Sequence, residues 1–457
     1  MIVMKFGGTS VEDAKAIGRA TEIVRGRLKE HPVVVVSALA KVTDQLLAIA
    51  RSAATGDSKT ALQLVEAFSQ RHYEVAGELL APARFTQLRE DLGRDLGALN
   101  DLLRGISAVG ELTPRTTDQV AAYGEILSSK IVAAAFSTRG LDSCLVDARA
   151  CTVTDANYMR AAPLIDDTNE RLQKLVAPLV DKGCVPVMGG FIGASKAGVT
   201  TTLGRGGSDY SAALVGAGLS AERIEIWTDV DGMLTTDPGI CSNARRIEVL
   251  SFDEAAELAY FGAKVLHPAT VLPAIQKNIP VYVLNSRNPT CEGTKITARA
   301  PKSRHMFKAI AVKKGITIVD VAAPRWLQLD GFLKWIVDAF ARHSVSVDVI
   351  STSEVSLSVT VDTNEGIPSL TAELAKLADV KYEERKAIVC LVGENLRRTP
   401  GVAARVFREL EDVKIHMISQ GASEINLTFV IAEEDVARVV ERLHRAFFSD
   451  RVSDMAA

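Results

Sequence analysis

The sequence predicts an α/β chain in which a mostly parallel sheet, covered by helices on both faces, is followed by two small ferredoxin-like βαββαβ modules. Three observations predict it. Up to about residue 298, short β-branched runs alternate with amphipathic helical stretches. Residues 299–306 then form a polar, basic, proline-containing break that reads as a linker. Beyond it the chain repeats itself.

Taken in order, residues 33–36, 184–188, 224–228 and 279–284 read as strands, and residues 11–28 and 118–139 as amphipathic helices between them. In the last third, residues 316–362 overlay residues 387–431. Both copies carry a glycine loop (Gly331, Gly401), a helix (332–343, 402–410), a Ser-Glu turn (Ser353-Glu354, Ser423-Glu424) and a strand (356–361, 426–431). The matching glycines and the matching Ser-Glu pairs are each 70 residues apart. Paired modules of this kind bind ligands where their sheets meet or serve as a dimerisation scaffold.

Composition narrows the function classes. A chain of 457 residues with 47% apolar and 24% charged content buries more than one core. A formal net charge of -3 offers no basic stripe for nucleic acid or an anionic membrane. Small molecules and further copies of the chain are the expected partners. Cys144, Cys151, Cys184, Cys241, Cys291 and Cys390 include no CxxC pair and read as reduced, mostly buried thiols. Met1 to Phe6 runs directly into a strand-like segment without a leader pattern, and no apolar run nears the ~18 to 20 residues of a membrane span, so a cytoplasmic location is expected.

Three polar, glycine-bearing segments carry the chemistry, and none is a P-loop. The first, Lys5-Phe6-Gly7-Gly8-Thr9-Ser10, lies between a strand and a helix. Its glycines let backbone N–H groups approach an oxyanion, Thr9 or Ser10 can cap the helix, and Lys5 can neutralise a transferring phosphoryl group. A tight turn with an exposed lysine is the alternative. The second runs from Thr200 through Gly204-Arg205-Gly206-Gly207-Ser208-Asp209 to Tyr210 and into a helix over 210–215. Arg205 suits a carboxylate held bidentately, Ser208 and Asp209 take capping positions, and an aspartate beside a phosphate site implies a nearby cation, either Lys5 or a metal. The third, Ile226-Trp227-Thr228-Asp229-Val230-Asp231-Gly232, is a strand ending in a polar turn, where open α/β sheets place ligands. Gly216-Ala217-Gly218-Leu219-Ser220-Ala221 matches a dinucleotide fingerprint formally, but it follows a helix and precedes a strand, the reverse of the required order. The seven histidines show no metal-ligand spacing, and no protein metal site is assigned.

These segments, with Phe261-Gly262-Ala263-Lys264-Val265-Leu266-His267-Pro268, resemble the signatures of aspartate kinases, and the repeat is similar to that family's paired ACT domains. The resemblance spans essentially the whole chain. It implies the amino acid kinase fold over 1–298, a first ACT module over 314–382 inserted in a second made of 307–313 and 383–457, and no homoserine dehydrogenase half. It implies MgATP as co-substrate, the metal held mainly by the phosphates, and transfer to the side-chain carboxylate of L-aspartate. Lys5 and Asp209 would be catalytic. Lys5, Gly7, Gly8, Thr9, Ser10, Thr228, Asp229, Leu234, Gly239 and Lys264 would bind nucleotide, and Thr43, Glu125, Arg205 and Ser208 would bind aspartate. Leu234 and Gly239 stand where many relatives carry tyrosine and arginine, which removes a charge-assisted contact that Lys264 or Lys41 could replace. Thr352-Ser353-Glu354-Val355-Ser356 resembles the lysine-responsive pattern, with Trp326, Leu329, Gly331, Val347, Asp348, Ser353 and Glu354 as effector residues. Trp326, Leu329 and Gln420 depart from that pattern and keep threonine as the second effector. Self-association through the ACT modules, as dimer or tetramer, is implied as well. The rival readings are a sibling kinase acting on glutamate, acetylglutamate or a nucleoside monophosphate, an ACT-bearing sensor with a weakened kinase domain, and, last, a dehydrogenase.

Overall fold

The computed structural model describes residues 1–262, 268–303, 305–322, 331–353, 355–362 and 365–448. Two compact units result, one of residues 1–233, 248–252 and 265–300, the other of 234–247, 253–264 and 301–457.

In chain order the first unit's strands are β1 (Ile2–Phe6), β2 (Pro32–Val36), β3 (Ser143–Val146), β4 (Val153–Thr154), β5 (Val185–Gly189), β6 (Ile192–Ser195), β7 (Thr200–Thr202), β8 (Arg223–Thr228), β9 (Val249–Ser251), β10 (Val281–Asn285) and β11 (Thr294–Thr297). Among the described residues, eight of them form one sheet in the order β3-β5-β2-β1-β8-β10-β11-β9, and β4, β6 and β7 form a small second one. The pairs from β3 through β10 are all parallel. Every residue of β1 and β2 is buried, as a sheet covered on both faces requires, which is why Pro32-Val-Val-Val-Val36 shows no alternation. One row, Gly189–Val36–Phe6–Trp227–Leu284, crosses five strands at their carboxyl ends. The chain leaves β1 toward β2 and later returns to its other side as β8, so a crevice opens beyond the end of β1, the place such sheets bind ligands.

Three local expectations change. The helix expected over 11–28 is Ala14–Arg25, capped by Asp13 accepting from the Ala16 N–H at 2.7 Å, while Gly8–Ser10 is a single 3-10 turn; neither Thr9 nor Ser10 caps it. Residues 118–139 divide into helices Pro114–Ala121 and Tyr123–Thr138, and beyond the break Gly124 meets Ala38, where a Cβ would stand 2.8 Å from that side chain. Cys144 and Cys184 form a disulfide instead of remaining thiols, because the parallel pairing of β3 with β5 brings two positions 40 residues apart to a Cα–Cα distance of 6.4 Å.

The second unit holds β12 (Phe307–Ala322), β13 (Ile350–Thr352), β14 (Ser356–Val361), β15 (Asp379–Gly393), β16 (Met417–Gln420) and β17 (Asn426–Ala432), ordered β13-β14-β12-β15-β17-β16 among the described residues. β12 and β15 are long antiparallel partners whose register shifts between Lys313 and Ile316, beside Gly315 at φ 72°. On one side of the shift Val319, Val321, Ile336, Phe340 and Leu370 make one core; on the other Phe307, Ile310, Val389, Phe429 and Leu443 make a second. Each repeat thus buries its own helices on its own half of one continuous sheet. Residues 234–247 and 253–262 pack in this unit as well: Thr235 Oγ1 lies 2.8 Å from His444 Nε2, Lys308 pairs with Glu254 at 2.8 Å, and Asn426 Nδ2 donates to Glu257 Oε2 at 2.8 Å. Among the described residues, no helix is long and apolar enough to cross a membrane.

Candidate active site

Lys5 is the one charged residue of the fully buried β1, and burying an ammonium requires a partner. Asp209 supplies it at 2.7 Å. Asp209 sits in the first turn of the helix Gly207–Gly218, which starts earlier than expected; its N-cap is Gly206 at φ 70°, so Ser208 and Asp209 lie inside the helix and not at its cap. The positive φ values of Gly204 and Gly206 frame Arg205 on a tight turn.

Around this pair opens a cleft of about 650 Å³ lined by Lys5, Gly8, Thr43, Glu125, Arg205, Ser208 and Asp209, seven of the residues read from the sequence. Lys41, Asp118, Met159 and Phe191 line it too. Glu125 is 3% exposed. Its Oε1 accepts the Ala38 N–H at 3.0 Å, while Oε2 has no hydrogen-bond partner among the described residues. Burial pushes the carboxyl up to about 8, against the pull of that hydrogen bond and the Lys5 charge. A half-satisfied buried carboxyl aimed into a cleft can receive a cationic group such as an ammonium. Ser128 Oγ donates to Ser37 O at 2.8 Å and ties the Glu125 helix to the end of β2.

Two features went unread in the sequence. Asp118 is buried, and its Oδ2 accepts N–H groups of Met159 and Thr202, both at 2.9 Å, while Oδ1 accepts the Thr202 hydroxyl at 2.6 Å. It fastens the strand that delivers Arg205, and burial raises its carboxyl above the ordinary range despite those bonds. Gly189-Gly190 ends β5 as Gly7-Gly8 follows β1, and that repeated pattern was the available signal. A Cβ on Gly190 would stand 2.8 Å from Ser208 Cα, and one on Gly189 3.0 Å from Glu125 Cβ.

On the other flank of β1, Gly7 N donates to Trp227 O at 3.0 Å, and Ser10 Oγ bonds Trp227 O at 3.2 Å and Ser286 Oγ at 2.8 Å. The buried Ser10 hydroxyl therefore joins the ends of β1, β8 and β10. Thr9 is half-buried, Thr228 donates to Asp229 Oδ1 at 3.2 Å, and Asp229 is exposed. Leu234 and Gly239 belong to the second unit, Leu234 bridged to Arg246 and Gly239 N donating to Asp237 Oδ1 at 2.8 Å. Lys264 lies outside the described residues.

Of the effector set, Trp326, Leu329 and Glu354 lie outside the described residues. Gly331 caps the helix Phe332–Arg342, Val347 is half-buried against the first module's core, and Ser353 Oγ pairs with Ser356 Oγ at 2.7 Å. Asp348, expected to receive an effector's cation, already receives one: Lys313 Nζ donates to both of its oxygens at 2.8 Å and lies 2.9 Å from Asp362. Among the described residues, no group of three His, Cys, Asp or Glu side chains has metal-binding geometry.

Residues 1–285 match the amino acid kinase family and residues 389–447 the ACT domain. Lysine-sensitive aspartokinase 3 of Escherichia coli is 37% identical over 461 residues, covering 98% of this chain and 99% of that one. This chain belongs to the aspartokinase family. Crystal structures of the E. coli aspartokinase III in complex with aspartate and ADP (R-state), and with lysine and aspartate (T-state), each superpose with a TM-score of 0.84 at 37% identity, covering 98% of this chain and 100% of those. The aspartokinase fold, with its kinase sheet and ACT domains, is therefore common to all three. Aspartokinase 2 from the chloroplast of Arabidopsis thaliana is 37% identical as well, covering 98% of this chain and 84% of its own length.

Proposed function

We propose that this aspartokinase transfers the γ-phosphoryl group of MgATP to the side-chain carboxylate of L-aspartate, giving ADP and 4-phospho-L-aspartate. The observation that carries the reading is the convergence of Lys5, Asp209, Arg205, Glu125, Thr43 and Ser208 on one cleft at the carboxyl end of β1. Arg205 grips the α-carboxylate with its planar fork, Glu125 takes the α-ammonium, and Thr43 and Ser208 complete the hydrogen bonding. The side-chain carboxylate then points at the phosphate turn Gly7–Ser10. Lys5, oriented by Asp209, neutralises charge on the phosphoryl group as it moves between two anions, so catalysis is positioning and electrostatics with no covalent intermediate. Glu125 must give up its proton to hold an ammonium, so aspartate binding below about pH 8 releases a proton.

Lysine is the proposed feedback effector, with threonine second, acting through ACT modules that also join subunits into a dimer or tetramer in the cytoplasm. An effector acts only by preferring one of two states; Asp348 already holds one ammonium, that of Lys313, and an effector's ammonium bound there would displace it. ADP release measured with aspartate, glutamate, acetylglutamate and a nucleoside monophosphate, with lysine and threonine added singly and together, tests it. Turnover confined to aspartate and inhibited by lysine is expected. No ADP release with aspartate would favour the weakened-kinase sensor.

A further inference from the structure

We infer that Lys41 is a second phosphate-binding cation of the transfer site, an inference that rests on the activity proposed above. Lys41 lines the same cleft as Lys5 and stands at the N-cap of the helix Val42–Ala54 with φ 68°. That left-handed backbone favours glycine and costs a side-chain-bearing residue on the order of 1 kcal/mol. Three non-glycine residues of the cleft, Lys41, Met159 (φ 69°) and Phe191 (φ 64°), share it, and Lys41 alone of them is charged. Strain held at bulky positions around one cavity marks a site whose geometry matters more than its local stability.

Charge accounting within the cleft agrees. The lining brings four carboxyl groups, Asp44, Asp118, Glu125 and Asp209, against three cations, Lys5, Lys41 and Arg205. Lys5 is paired with Asp209. Arg205 and Lys41 have no ion-pair partner among the described residues, and a guanidinium engaged by an α-carboxylate leaves Lys41 for the remaining load, a second carboxylate meeting a triphosphate. Its backbone is placed for that role: a Cβ on Gly8 would stand 3.1 Å from Ala38 O and 3.3 Å from Ala40 Cα, so the turn before Lys41 rests on the phosphate turn.

Three variants of the full chain test this. Lys41→Gly relieves the backbone and removes the charge, Lys41→Met removes the charge alone, and Lys41→Arg keeps it. We expect kcat/KM for ATP to fall about 10- to 100-fold in the first two and to stay within about threefold in Lys41→Arg, while the Tm of Lys41→Gly holds or rises. Calorimetry should show Lys41→Met weakening ATP more than ADP. Near-normal kinetics in Lys41→Gly and Lys41→Met, loss in Lys41→Gly alone, or an unchanged ATP-to-ADP affinity ratio would each overturn the inference. If the parent chain leaves aspartate unphosphorylated, the activity reading fails by itself, and the calorimetric ratio still decides the role of Lys41.

Discussion

Two of the lysine–aspartate pairings among the described residues, Lys5 with Asp209 and Lys313 with Asp348, look alike on paper and differ in what remains available to a ligand. In the kinase cleft Lys5 lies 2.7 Å from one oxygen of Asp209 beside a cavity of about 650 Å³, an ion pair without a directed hydrogen bond among the described residues, so its N–H donors remain for another group. In the regulatory unit Lys313 meets both oxygens of Asp348 at 2.8 Å and Asp362 at 2.9 Å, and lies 5.8 Å from the Tyr260 ring centre. Burial opposes the Lys313 charge, but these carboxylates lift its pKa above the ordinary lysine value, and its donors are all taken. The same pair of residue types is a tool where it stays half satisfied and a latch where it is saturated.

Lys5 is where the two pairings should differ most. Lys5→Ala should reduce kcat about 10³-fold, and because Asp209 would be left without its cation, Tm should fall too. Adding Asp209→Ala should recover the Tm but not the turnover. Recovery of both would make the pair structural, like its counterpart in the regulatory unit. Next in size, Arg205→Ala should raise the aspartate KM about 10- to 100-fold and leave the ATP KM nearly unchanged; equal effects on both would move Arg205 off the carboxylate.

Glu125 sharpens the contrast through pH. Its carboxyl titrates at about 8 in the folded chain and near 4.5 when exposed, so between those values the folded state holds the extra proton. Stability of the ligand-free protein should therefore decline as pH rises through that window and level off above it. Glu125→Gln should flatten the decline, gaining on the parent chain in Tm from about pH 5 to about pH 9, and should raise the aspartate KM. A parallel decline in the variant would assign the titration elsewhere. The smallest effect belongs to the latch: if an effector's ammonium must displace Lys313, then Lys313→Met should lower the half-inhibitory lysine concentration several-fold, corresponding to about 1 kcal/mol. Unchanged inhibition would place the effector away from Asp348.

What was legible in the sequence was local. Strand β2 declares itself as an unbroken valine run, Gly7-Gly8 sits between a strand and a helix, and the second repeat matches the first in spacing because each encodes its own small core. What was illegible depends on contacts distant in sequence. Asp118 looks like any helical aspartate until the chain returns Thr202 to it 84 residues later, and Cys184 meets Cys144 only through the pairing of β3 with β5. Lys313 gave no sign of occupying Asp348, 35 residues away, because nothing in either local segment specifies a partner. Likewise residues 234–247 read as part of the kinase sequence, yet their Thr235 lies against His444 near the other end of the chain.

The most direct test of the cleft as a transfer site traps its product. An acyl phosphate formed on aspartate reacts with hydroxylamine to give a hydroxamate, so the full chain with MgATP, L-aspartate and hydroxylamine should accumulate aspartyl hydroxamate in step with ADP. The same mixture with Lys5→Ala should accumulate almost none. ADP release without hydroxamate, or equal hydroxamate from the variant, would contradict the assignment.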